Sequence, residues 1–285
     1  MTRSRLLVVV VLAATIGATS AIAIRGGQDG RAATGIGETE GQLVTLLDYL
    51  ESGRRLARDY LAKQPAPGGA TLWDVARACG PACVRVEVEV ARQGAAVAAI
   101  HGSGVIVAGG RYVLTAGHAL DTDKVLAIRV ILNDGRALAA TAAKKDYEVF
   151  NSTGRDWAVL KLGDDRPDDL VSLKLGDAEK GAPVIALGYP DQIGTDEDGR
   201  IAYSRDAPLA PLLFPAHVTE TAPLALSPAA GAVPLGGISG GPVINAAGEV
   251  VGIFVSVSKT RTSNLMVVSY GATPVAAFKD ALAED

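Results

Sequence analysis

Histidine, cysteine and methionine are scarce in this chain of 285 residues, with three, two and two copies, and aromatic residues make up only 5% of it. Two cysteines by themselves leave a metal site incomplete. Three histidines, His101, His118 and His217, confine any imidazole base to three positions. Basic charge is not in excess either. The net charge is −4 with no basic stripe, so nucleic-acid binding has no electrostatic support. Repeats of solenoid length are lacking. What the chain has in quantity is apolar residues, 48% of the total, which is ample for a core, and 33 glycines. Its length admits one large or two small domains.

Three segments carry chemistry. Gly237-Ile238-Ser239-Gly240-Gly241-Pro242 places a serine between glycines. Such a turn leaves the hydroxyl uncovered and gathers amide N–H groups into a concavity suited to an oxyanion; the donors are assigned to Gly237 and Ser239. A serine hydroxyl is a weak nucleophile and needs a base oriented by a third group. Thr115-Ala116-Gly117-His118 follows two apolar runs joined by Gly109-Gly110, which reads as a hairpin presenting His118 at a strand end. Asp156 opens the alternating strand Trp157–Leu162, after the turn Ser152–Arg155. Asp146 and Asp121 compete with it as the acidic partner, and Asp156 is preferred because a half-buried strand follows it at once. The order is His…Asp…Ser. Gly-x-Ser-x-Gly also fits the nucleophile elbow of lipases and esterases, but there the histidine follows the serine, and here the last histidine, His217, precedes it. His101-Gly102-Ser103-Gly104-Val105 bears a faint likeness to a subtilisin histidine segment, for which the serine neighbourhood is wrong.

Taken together, these segments and the following Gly248-Glu249-Val250-Val251-Gly252-Ile253 resemble a trypsin-like serine protease, most of all the bacterial branch that includes the high-temperature-requirement proteases. The likeness runs from about residue 80 to the end. It implies two six-stranded antiparallel β-barrels with His118, Asp156 and Ser239 in the cleft between them. It also places the floor of the primary specificity pocket near Val233, with walls from Phe254, Val255, Ser256 and Val257 and from a later strand at Leu265–Val268. Two departures stand out. Digestive members have an aspartate before the nucleophile that pairs with a freshly cleaved N-terminus; here Ile238 makes no such pair. A peptide-binding PDZ domain usually follows in the high-temperature-requirement branch, and the stretch from Ser239 to Asp285 leaves no room for one.

Upstream, Arg3 and Arg5 precede an uncharged, mostly apolar run from Leu6 to Ile24. It is just long enough to cross a bilayer, and Ala21-Ile22-Ala23 fits a signal-peptidase site. Residues 1–24 are therefore a signal peptide or a membrane anchor; the anchor is preferred because the run exceeds a usual signal core. Either way the rest of the chain is expected outside the cytoplasm, in the bacterial periplasm or beyond. Residues 25–71 read as a linker followed by a helical segment. Leu43, Leu47, Leu50, Ala57 and Leu61 follow helical spacing within 38–63, as a helix packed on the barrels or a short coiled coil for oligomers. Pro65–Gly69 ends it, and Leu72–Ala78 gives another helical turn or two. Cys79 and Cys83, around Gly80-Pro81-Ala82, most simply form a small disulfide in an exported chain.

Residues 72–285 form the expected protease domain, with barrel one over about 82–170 and barrel two over about 182–270. Turn signals place strands at Val84–Val90, Ala96–Ile100, Val125–Leu132, Ala137–Ala143 and Trp157–Leu162. Further strands fall at Ala182–Leu187, Val243–Ile244, Val250–Val257 and Leu265–Ser269, with Asp191–Asp206 a polar loop. Thr273-Pro274 then opens a C-terminal helix to Leu282, as N-cap and first helical residue. The expected activity is peptide-bond hydrolysis through an acyl-enzyme on polypeptide substrates, with no metal or organic cofactor implied. The rival readings are a catalytically silent binding or sensing module on the same scaffold, and acyl transfer to a simple ester.

Overall fold

The computed structural model describes residues 36–91, 98–122, 124–148, 154–204, 207–231, 233–262 and 265–282. Six antiparallel strands close the first barrel: β1 (Cys83–Val90), β2 (Ala98–Val107), β3 (Tyr112–Thr115), β4 (Val125–Ile131), β5 (Ala137–Tyr147) and β6 (Asp156–Leu162), in the order β1-β2-β3-β6-β5-β4. After β7 (Pro183–Gly188), a small hairpin of β8 (Ile193–Thr195) and β9 (Ile201–Tyr203) intervenes. The second barrel adds β10 (Leu212–Thr221), β11 (Leu224–Pro228), β12 (Pro242–Ile244), β13 (Val250–Thr262) and β14 (Leu265–Pro274), and closes as β10-β11-β14-β13-β12-β7.

Period-two alternation explains β1. Val84, Val86, Val88 and Val90 point into barrel one, where they meet Ile106, Val113, Ile128, Val130, Ala158 and Leu160. The opposite face is buried as well. Arg85 is only 2% exposed. Its guanidinium donates to the carbonyls of Ser204 and Ala207 at 2.6 and 2.9 Å and lies 5.7 Å from the centre of the Tyr189 ring. Between the barrels runs a third core. Val105, Val107, Tyr112, Leu114, Trp157 and Val159 from barrel one pack with Ile185, Leu187, Tyr189, Ile244, Val250 and Ile253 from barrel two.

Two α-helices precede the barrels, α1 (Ile36–Leu61) and α2 (Leu72–Cys79). Leu50, Ala57 and Leu61 of α1 are buried. Leu50 enters the core of barrel two and Leu61 the core between the barrels. The described part of the apolar stripe is thus packed on the protein's own barrels, while the side chains of Leu43 and Leu47 lie outside the described residues. The α2 start is fixed by a capping box, with Thr71 accepting from the Asp74 N–H and Asp74 accepting from the Thr71 N–H at 2.9 Å.

Several expectations need correction. The disulfide is not formed: Cys79 and Cys83 are both buried free thiols. The turn Gly80–Ala82 sends them apart, Cys79 Sγ donating to the Gly248 carbonyl at 3.6 Å while Cys83 begins β1 inside the core between the barrels. Burial pushes the Cys79 thiol up to about 11. The C-terminal segment is not an α-helix but two 3-10 turns, Val275–Ala277 and Lys279–Leu282. Thr273 and Pro274 instead end β14, paired with Ile253 and Gly252. The polar loop after Asp191 contains the β8–β9 hairpin. β10 and β11 had no counterpart in the strand map. The run Leu6–Ile24 lies outside the described residues; among those described, no helix is long and apolar enough to cross a membrane.

Candidate active site

His118 sits in a 3-10 turn, Gly117–Leu120, directly after β3. Gly117 makes that turn possible, because a Cβ there would meet the Asp146 carbonyl at 2.8 Å and the Trp157 backbone at 2.9 Å. Asp156 is the first residue of β6, 4% exposed. Both its oxygens are engaged by His118: Oδ2 lies 2.8 Å from Nδ1, and Oδ1 accepts the His118 backbone N–H at 2.9 Å. Nδ1 of the ring is thereby committed to Asp156, leaving Nε2 as the imidazole's other nitrogen. The Asp156 carbonyl is held in turn by the Thr273 hydroxyl at 2.9 Å. Asp146, the sequence competitor, is turned to Arg155 instead, with bonds of 2.8 to 3.1 Å. Asp121 only follows the histidine turn and is exposed.

The serine turn is built on left-handed glycines, Gly237 at φ +91 and Gly240 at φ +89. Its peptide planes are fixed through their carbonyls. The Gly236 carbonyl accepts from Asp191 N–H at 2.8 Å, and the Ile238 carbonyl accepts from Gly241 N–H at 2.9 Å. In a trans peptide the N–H points opposite to the C=O. The N–H groups of Gly237 and Ser239 are therefore turned away from those anchors, and among the described residues neither has an acceptor. Two such free, pre-aimed donors are what an oxyanion requires. Ser239 Oγ is 3.5 Å from the Val255 carbonyl, a long contact, and among the described residues it makes no hydrogen bond to His118. Loose nucleophile–base contacts of this kind are common before substrate arrives.

Ser103, in β2, was passed over in the sequence. It is fully buried, and its hydroxyl bridges the Tyr189 N–H and the Gly237 carbonyl at 2.9 and 2.8 Å. Its own N–H donates to the Ser239 carbonyl at 2.8 Å, and its carbonyl accepts from the Thr115 hydroxyl at 2.7 Å. One residue of barrel one thus grips the nucleophile turn of barrel two at two points. The only signal was Gly102-Ser103-Gly104, small residues flanking a hydroxyl. Asp191 and Gln192 were passed over too; both have positive φ, +46 and +64, without being glycine.

Of the expected pocket residues, Val233 and Val257 are partly buried and pack against the barrel-two core cluster that includes Phe254 and Tyr270. Phe254 is buried in barrel two with its ring 5.5 Å from that of Tyr270, so it backs the pocket region as core. A bulge between Phe254 and Ser256 takes Val255 out of the ladder and turns its carbonyl toward Ser239. Ser256 is exposed. The strand opposite Ser256–Ser258 is Ser269–Gly271, not Leu265–Val268, which pairs farther along the hairpin with Lys259–Thr262. Tyr270, opposite Val257, is buried in the core of barrel two.

The family model of the trypsin-like peptidase domain matches residues 102–253, just over half of the chain. Among curated proteins, the chain is 32% identical over 172 residues to a probable periplasmic serine endoprotease DegP-like of Marinomonas sp. (strain MWYL1), a match covering 59% of this chain and 32% of the relative. It is 34% identical over 180 residues to the protein of that name from Halomonas elongata, covering 61% of this chain and 32% of the relative. The chain thus aligns with about a third of the length of these relatives. Two closed six-stranded barrels, a paired His118 and Asp156, a glycine-cradled Ser239 and this match lead to one assignment: the chain belongs to the trypsin-like peptidase family.

Proposed function

We propose that the chain is an exported serine endopeptidase. Ser239 Oγ attacks the scissile carbonyl while His118 Nε2 takes its proton. Asp156 holds the Nδ1–H tautomer and stabilises the imidazolium. The Gly237 and Ser239 N–H groups donate to the oxyanion, each contributing roughly 3 kcal/mol of barrier reduction. His118 then protonates the leaving amine, the acyl-enzyme forms, and water activated by His118 releases the acid and restores the Ser239 hydroxyl. The observation that carries this reading is the double engagement of Asp156 by His118. This contact orients the His118 ring as a general base requires. Labelling by a fluorophosphonate tests it: stoichiometric reaction of the wild type, lost in Ser239→Ala, is the expected result, and an unreactive wild type would refute it.

The apolar run Leu6–Ile24 and the periplasmic naming of the relatives support placement outside the cytoplasm. Tethering follows if residues 1–24 stay attached, and release if Ala23 is the cleavage point. An N-terminal sequence of the processed protein beginning at Ile24 would decide for release. Substrates are polypeptides. Val233, Val257 and the Phe254–Tyr270 pair give the pocket an uncharged apolar character. Such a pocket does not compensate the desolvation of lysine or arginine, but gains roughly 1.5–3 kcal/mol on burying a medium apolar side chain. Cuts after valine, alanine or leucine are expected in a denatured-protein digest; a majority after lysine or arginine would refute the pocket.

A further inference from the structure

Helix α1 lies outside both barrels, yet it touches the segment that leads to the nucleophile. Tyr49 Oη accepts the backbone N–H of Val233 at 2.8 Å. Two residues earlier, Gly231 has φ +97, and a Cβ on it would stand 3.0 Å from the Gly53 carbonyl and 3.2 Å from the Ala57 Cβ, both in α1. The strand-to-turn segment therefore rests directly on the helix backbone. One turn along the helix from Gly53 and two from Ala57, Leu50 is buried in the same cluster as Ile238, the residue before the nucleophile, and as Phe254 and Tyr270. Val233, Leu235 and Tyr49 pack against that cluster. Burial pushes the Tyr270 phenol above its ordinary range.

From Val233 the chain needs only four more residues to reach Gly237. The end of this segment is pinned by Asp191 N–H on the Gly236 carbonyl and by Ser103 Oγ on the Gly237 carbonyl. Its start is tied to barrel two by Ala229 N–H on the Pro215 carbonyl at 2.9 Å. Between those ties, the one side-chain hydrogen bond among the described residues comes from Tyr49. Digestive trypsin-like enzymes fix this region through an ion pair between a new N-terminus and the residue before the nucleophile. Ile238 makes no ion pair and is instead buried with Leu50.

Resting on the peptidase reading above, we propose that Tyr49 is a positioning residue and that docked α1 sets the specificity segment Val233–Gly237, so that the pocket is ordered by an uncleaved upstream helix and needs no N-terminal processing. Tyr49 does not touch substrate; it fixes the Val233 backbone, and through it the pocket floor. Binding of the side chain before the cut is what this controls, while the His118–Asp156 base lies in the other barrel and is unaffected.

The test is Tyr49→Phe in the full chain, which keeps the ring and removes only the acceptor. Two readouts are taken. The first is amide exchange at Val233, which does not depend on activity: protection in the wild type should fall roughly fivefold to tenfold in the variant. The second is hydrolysis of peptides with valine or glycine before the cut. The kcat/KM for valine should fall by about the same factor, mainly through KM, and the valine-to-glycine ratio should shrink. Gly231→Ala, which pushes the segment off the helix from the other side, should shift the same ratio in the same direction. Unchanged exchange at Val233, or an equal loss on both peptides accompanied only by a lower melting temperature, would overturn the proposal. A wild type with protected Val233 but no fluorophosphonate labelling would overturn the peptidase reading and this role in specificity with it.

Discussion

The two barrels contribute to one site in opposite ways. Barrel one supplies His118 and Asp156, and their geometry is set locally: a glycine turn, one strand start and two hydrogen bonds between the same two residues. Barrel two supplies Ser239 and the proposed oxyanion donors, and the turn that carries them adds ties from outside the barrel to its own hydrogen bonds, such as Gly240 N–H to the Phe254 carbonyl at 2.7 Å. Its turn is gripped by Ser103 from barrel one, by Asp191 after β7 and by α1 through Leu50. The proposed base is thus set mainly within barrel one, with a single tie from Thr273 of barrel two to the Asp156 carbonyl, whereas the nucleophile's cradle draws on barrel one and α1 as well as on barrel two. Mutations far from Ser239 should be able to weaken the cradle, and few distant mutations should be able to disturb the base.

That asymmetry is open to attack at several levels. Removing a reacting group should be the most severe: Ser239→Ala or His118→Ala is expected to cost on the order of a millionfold in kcat, read by peptide hydrolysis. Asp156→Asn should cost about ten-thousandfold, because it favours the wrong histidine tautomer. A smaller loss would mean that the doubly bonded pair is not the working base. Ser103→Ala comes next. It strips a donor from the Gly237 carbonyl and an acceptor from the Tyr189 N–H, each worth about 1–3 kcal/mol when left buried and unpaired. A kcat loss of about tenfold to a hundredfold is expected on that scale, with fluorophosphonate labelling slowed in parallel. If kcat is unchanged, barrel one does not grip the cradle.

Leu50→Ala tests the helix as a structural member. A buried leucine cut to alanine costs about 2–5 kcal/mol of unfolding free energy, measured by urea titration. A loss below about 0.5 kcal/mol, the scale of an ordinary surface change, would mean that α1 is not docked in solution. The thiols give the smallest signal. Cys79 and Cys83 should both stay unreactive toward an aromatic disulfide reagent at pH 8 in the folded protein, and both should react in denaturant. Zero thiols in denaturant would restore the disulfide. Since the folded Cys79 thiol is raised to about 11 and an unfolded thiol ionises near about 8.5, stability is unaffected below that pH and falls as pH rises between the two.

Barrel one was legible because its signals are local. The alternation of β1, the glycine turn before His118 and the strand behind Asp156 each lie within a few residues. Barrel two was harder for a physical reason. Pro211 stands just before β10 and Pro215 interrupts a run within it that otherwise reads as a strand, although Pro215 pairs with Ile185 in the finished ladder. Thr273-Pro274 has the chemistry of a helix start, but pairing with Gly252 and Ile253 overrides it, and the Thr273 hydroxyl is used on the Asp156 carbonyl instead. The true helix cap, Thr71 with Asp74, went unnoticed beside it. Tyr49, Ser103 and Tyr270 act across long sequence separations, so no spacing rule could have flagged them. The disulfide was inferred from closeness in sequence, which says nothing of where two thiols point.

The core between the barrels bears on how the chain comes to be folded at all. Val105, Val107, Tyr112, Leu114, Trp157 and Val159 lie on the outer surface of barrel one, in a core completed by barrel two together with Leu61 of α1 and Leu72 and Ala76 of α2. A chain emerging from its N-terminal end completes barrel one while that surface still faces water. Contiguous apolar surface of this kind invites association with other unfinished chains. The first barrel is therefore a poor candidate for life as an independent fragment, and the interval before β7 arrives is when the nascent protein has most need of a holdase.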